Sequence, residues 1–282
     1  MFDSRERGMG RFFTGLARNR INRATAARGL DGEFILGMVL AIVVVVLLWW
    51  TPFLFPFRIF TTAAHEVSHS LSSIIMGGGA GDIKLFWNGG GVAQVGITGT
   101  LGAIVVYSAG YLGSVIFGGM LLLESKKATT RRRVLWAITG GLILVTAFFI
   151  RDVSSLIMVA IVAGLAGLAA YRAPNIIVTF IINVLALLSC LYSLMDLFFL
   201  IISNTNPFHT GFNDAVGLAT YTGIPAIIWA VAWGLVGAFM MFMFLKRAVL
   251  KAQPSNGPAT GPYSGPKEPN TFDRYDEYLS KK

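Results

Sequence analysis

His65, Glu66 and His69 stand as His-Glu-x-x-His inside the stretch TTAAHEVSHS, Thr61 to Ser70. On a helix, residues four apart share a face. Both imidazoles can therefore reach one zinc ion, with Glu66 beside it as general base. Two of the three histidines in the chain belong to this one pentapeptide. Its surroundings are apolar, where ionisable side chains are costly and are kept for function. The chemistry implied is hydrolysis by zinc-activated water, and a catalytic zinc site of this kind needs a third protein ligand.

Only six acidic residues lie between Phe34 and Leu250: Glu66, Asp82, Glu124, Asp152, Asp196 and Asp214. Glu124 belongs to the basic loop ESKKATTRRR, and Asp152 follows Arg151 at a span end, where pairing or helix capping accounts for it. Asp82 falls in a glycine-rich segment that reads as a turn. Asp196 stands out, because LALLSCLYSLMDLFFLII encloses it with no lysine or arginine. A lone ionised carboxylate there needs a partner, and a zinc ion is one. Asp196 is therefore the first choice of third ligand. Asp214, in NPFHTGFNDAVGLATYTGIP, is the alternative; its ordinary role would be to cap the long span that follows. His209, in the same stretch, is a further candidate.

These residues must be positioned by membrane helices. The 282-residue chain is 55% hydrophobic and 13% charged, against about 25% charged in soluble domains. Apolar blocks long enough to cross a bilayer recur at Phe34–Phe55, Thr100–Leu123, Val134–Ile150, Val153–Ala170, Ile176–Ile202 and Ala215–Leu245. A helix over about Phe60–Met76 carries the motif. After it, GGGAGDIKLFWNGGGVAQVG has two glycine triplets around short alternating stretches, the pattern of a hairpin. The fold class expected is an all-α polytopic membrane protein with about six to seven transmembrane helices and a short glycine-rich re-entrant hairpin after the motif helix. Residues 1–32 read as a basic cytoplasmic leader, 33–250 as the membrane-embedded domain, and 251–282 as a disordered Pro/Gly-rich cytoplasmic tail.

The net charge of +9 is clustered, with seven arginines in the first 28 residues and further groups at Glu124–Arg133 and around Lys246, Arg247 and Lys251. Basic loops face the cytoplasm, which places both termini inside and the protein in the cell membrane. An odd number of apolar segments precedes Lys126, so the Thr61–Gly96 region is expected to dip in and return. No aromatic-basic module accompanies the charge, so nucleic acid is not an expected partner; the lipid bilayer is. The single cysteine, Cys190, rules out a disulfide within the chain.

The motif, the segments IKLFWNGGGVAQVG, SAGYLGSVIFGG and LLSCLYSLMDL, and NDAVGLATYTGIPAIIW run in an order that resembles the site-2 protease family of intramembrane zinc metallopeptidases, in its B-like branch. The resemblance covers about Thr61–Trp233. It implies a zinc endopeptidase acting on a membrane protein substrate, with His65 and His69 as ligands, Glu66 as catalytic base, and the hairpin presenting substrate as an extended strand. Family members carry the third ligand in an Asp-Gly pair, whereas here Leu197 follows Asp196 and Ala215 follows Asp214. A catalytically inactive scaffold of the same fold and an ion- or proton-coupled transporter are the alternatives to proteolysis.

Overall fold

The computed structural model describes residues 32–49, 51–127, 129–205 and 213–249. The expectations for residues 1–31 and 250–282, and the candidate His209, fall outside the described residues. The elements in chain order are α1 (Gly32–Leu48), a 3-10 turn (Pro52–Leu54), α2 (Phe55–Ile75), β1 (Ala80–Leu85), β2 (Gly91–Val95), α3 (Gly99–Ser125), α4 (Arg131–Phe149), α5 (Val153–Arg172), α6 (Asn175–Thr205), α7 (Asp214–Thr222) and α8 (Ala226–Val249). Among the described residues, five helices are long and apolar enough to cross a membrane: α3, α4, α5, α6 and α8. A shorter apolar helix spans Phe34–Leu48. Five such helices give the chain the architecture of a polytopic membrane protein.

The core is built around α3 and α6, which pack on each other; α2 lies on α3, and α1 on α6. Small residues allow the close approach. A Cβ at Gly118 would fall 2.8 Å from both the Ala186 carbonyl oxygen and Cys190 Sγ. Pro52 opens the 3-10 turn and Pro56 sits in the first turn of α2, where a missing N–H costs nothing. The basic loop after α3 is fastened by its own arginines. Arg131 is buried and donates from Nε to the Ser125 carbonyl at 2.6 Å, and Arg132 Nη2 donates to Ala173 O at 2.7 Å. Cations thus meet helix C-terminal carbonyls, where the backbone dipole favours them.

The segment read as one span over Ala215–Leu245 is two helices. Gly223 ends α7 in the left-handed region at φ 70°, and Pro225 precedes α8. A residue that needs no Cβ clearance followed by one that cannot continue the helix is a strong stop.

The glycine-rich stretch forms a two-stranded antiparallel hairpin. Asp82 lies in β1 rather than in a turn. Ile83, Lys84 and Leu85 face Ala93, Val92 and Gly91, with a register shift between Ala80 and Ile83. The two edges differ. On β1, Ile83 and Leu85 are buried, and the Leu85 N–H donates to Ser155 Oγ of α5 at 2.8 Å. On β2, the bond from Phe86 N–H to Gly90 O fixes the alternation, so the backbone groups of Gly91 and Ala93 point away from β1. Thr62 Oγ1 donates to Gly89 O at 2.6 Å and ties the tip to α2, while the Ser73 hydroxyl sits 2.7 Å from Gly96 O at the root.

Candidate metal centre

Helix α2 sets His65 and His69 one turn apart on the face that meets α3 and α7. Their Nε2 atoms are 3.1 Å apart. Asp214, in the first turn of α7, brings Oδ2 to 3.5 Å from His65 Nε2 and 3.4 Å from His69 Nε2. Tetrahedral zinc with ligand bonds of about 2.0–2.1 Å separates its donors by about 3.3–3.4 Å. The three observed separations bracket that spacing, and two imidazoles with a carboxylate are a donor set that zinc takes. The residues therefore fit a zinc ion, and the group could hold one.

Two neighbours hold this geometry. His69 Nδ1 lies 2.7 Å from the Val106 carbonyl oxygen on α3. A carbonyl only accepts, so Nδ1 carries the proton, and Nε2 is the nitrogen left to act as a ligand atom on the side of Asp214 and His65. Gly110 then leaves the space: a Cβ there would fall 2.6 Å from His65 Nε2 and closer still to His69 Nε2. Tyr111 meets the His65 ring edge-on at 4.8 Å between centroids and stacks on Trp233 at 5.3 Å. Trp233 Nε1 in turn donates to Ser108 Oγ at 2.9 Å, so α8 braces the aromatic wall.

Glu66 is buried beside the cluster, next to the hairpin. The Ala93 N–H, on the outward edge of β2, lies on the side of its carboxylate. A Cβ at Gly91 would fall 3.0 Å from Glu66 Cγ, so strand and base approach as closely as the backbone permits. A cavity of about 790 Å³ joins these groups, with Gly91–Val95 along one wall and Tyr107 and Asn213 on others.

The other sequence candidates lie elsewhere. Asp152 caps α5, accepting from Ser155 N at 2.8 Å. Glu124 pairs with Lys127 at 2.5 Å. Asp196 falls within α6, and its side chain lies outside the described residues. Asp214 is not the cap of its helix, contrary to the role the sequence suggested. Asn213 is extended at φ −147° and its side chain accepts from Val216 N, leaving the Asp214 carboxylate to the histidines. Sequence reasoning passed over Asn213 and the Ala93 amide, and read Gly110 only as one of the small residues that let helices approach closely. The adjacent pair Asn213-Asp214, two residues that both favour caps, was the one local signal available.

The Peptidase M50B-like family matches the chain over residues 38–244. The chain belongs to this family. No curated protein and no solved structure matches it significantly. Membership sustains the resemblance to site-2 proteases: the protein is an integral membrane protein of a zinc metallopeptidase family. The matched range runs from α1 to α8 and contains every donor described above.

Proposed function

We propose that the protein is a zinc-dependent intramembrane endopeptidase, with His65, His69 and Asp214 as metal ligands and Glu66 as general base. The observation that carries this reading is the near-equilateral triangle of donors, at 3.1, 3.4 and 3.5 Å. Asp214 takes the third position in preference to Asp196, because its carboxylate is the one that the described residues bring to the histidines. When bound, a zinc ion supplies Lewis acidity, acidifying water and polarising a carbonyl oxygen. Glu66 takes the proton of the attacking water and delivers it to the leaving amide nitrogen.

The hairpin supplies the substrate track. The outward edge of β2 offers backbone donors and acceptors at Gly91 and Ala93, beside Glu66. A membrane protein segment that unwinds can pair with that edge as an added strand, which presents its peptide bonds in extended form. The basic loop after α3 supports an orientation with both termini in the cytoplasm.

The test is Glu66→Gln in the full-length protein, purified in detergent and offered β-casein as an unfolded general substrate. Loss of a general base lowers the rate by about 100-fold or more, with zinc content unchanged by elemental analysis. Cleavage at the wild-type rate would overturn the role given to Glu66, and no cleavage by the wild-type protein would overturn the proteolytic reading and favour a scaffold.

A further inference from the structure

Arg58 occupies the same cavity as the donor cluster, two helical turns before it on α2. Its Nη2 donates to the Trp49 carbonyl oxygen, and its guanidinium lies over the Tyr192 ring at 5.5 Å from the centroid. Its Nε is buried without a hydrogen-bond partner, and no carboxylate of the described residues pairs with it. The hairpin tip sits against it: a Cβ at Gly89 would fall 3.9 Å from Arg58 Cδ. A fixed guanidinium with one ring face and one edge engaged is preorganised on a half-buried side chain, and its unpartnered Nε–H is a donor that an arriving acceptor would satisfy.

The charge balance of the cavity points the same way. With a divalent cation on His65, His69 and Asp214, the ion offsets the two carboxylates of Glu66 and Asp214. The Arg58 charge is then left over. Seven residues separate Arg58 from His65, which is about 10 Å along a helix. An extended chain covers that distance in about three residues. A substrate strand paired with β2 runs past Gly91 toward the tip, and so passes Arg58.

The structure assigns Arg58 the role of a specificity-determining residue that binds a substrate carboxylate about three residues to one side of the bond at the donor cluster. The source is the side chain of an aspartate or glutamate within the substrate. This assignment rests on the proteolytic reading for its meaning, but its test is a binding measurement and needs no cleavage.

The probe is a series of fluorescent decapeptides, with one Glu moved through successive positions and a matched Gln series, each made with a free and an amidated C-terminus. They are titrated into full-length Glu66→Gln protein loaded with zinc. One position should bind the Glu peptide about tenfold more tightly than its Gln partner, the scale of a charge-assisted hydrogen bond, whichever C-terminus is present. A preference that follows the free C-terminus instead would retain Arg58 as the carboxylate site and change the source to a chain end. Adding Arg58→Gln, which removes the charge and keeps the side-chain stem, should remove the preference; Arg58→Lys should keep most of it. No Glu or free-acid preference in the Arg58 protein overturns the assignment by itself, and so does an equal preference in Arg58→Gln. Failure of the wild-type protein to cleave β-casein strikes the proteolytic reading and leaves this comparison standing.

Discussion

Asp152 and Asp214 both stand at the start of a helix, each in a short polar interruption between apolar blocks. Asp152 accepts the Ser155 N–H at the start of α5 and its carboxylate is spent on the backbone. At the start of α7, Asn213 accepts the Val216 N–H at 2.9 Å, and Asp214 one residue later turns to His65 and His69. The difference is one neighbour. Where a second capping residue precedes the aspartate, the helix end is satisfied without it, and the acid is free for chemistry. The contrast teaches that the role of a carboxylate at a helix end is decided by what stands immediately before it.

The largest effect that can break this contrast is on zinc. Asp214→Ala should lower zinc affinity by more than about 100-fold, since even residues that only orient ligands cost 10–100-fold; elemental analysis of the purified protein reads it. Zinc retained in Asp214→Ala and lost in Asp196→Ala would transfer the third-ligand role to α6. A smaller effect is expected at Asn213. Removing that cap in Asn213→Ala costs about 1 kcal/mol at the start of α7 and loosens the carboxylate, so zinc affinity against a competing chelator should fall about fivefold. Asn213→Ser should restore it.

The smallest effect belongs to Asp152. Asp152→Ala should lower thermal stability by about 1 kcal/mol and leave zinc content untouched. The Ser155 N–H beside it holds its carboxyl below the ordinary aspartate range. A depressed folded-state value stabilises the fold above the ordinary range, and that benefit fades as pH falls through the depressed value. The melting difference between wild type and Asp152→Ala should therefore be constant near neutral pH and close below about pH 4. A difference that widened in acid would contradict the capping role.

Much of the molecule was legible in the chain. The apolar blocks from Thr100 to Ile202 became α3–α6 with ends shifted by a few residues, because long helices in an apolar setting are fixed by composition. The hairpin followed from its glycine triplets. The His-Glu-x-x-His face was legible because its residues are adjacent, and helix geometry alone brings them together. The third candidate donor is set by a contact across nearly 150 positions, and the only local hint of it is the adjacent pair Asn213-Asp214. Asp196 drew attention because the expense of an acid in an apolar helix is visible in sequence, whereas Asp214 stood second as a ligand because an ordinary cap would also account for it. The break at Gly223 was hidden because the residues on either side are equally apolar.

Gly110 carries a consequence for how such chains are compared. The donors close on one another over a position where α3 has only a hydrogen atom. A relative could keep His65, Glu66, His69 and Asp214 and still be silent through a single methyl group on the facing helix. Motif inventories would count it as an active peptidase. The residue at this position is therefore as informative as the proposed ligands in sorting working members from those that retain only the outline.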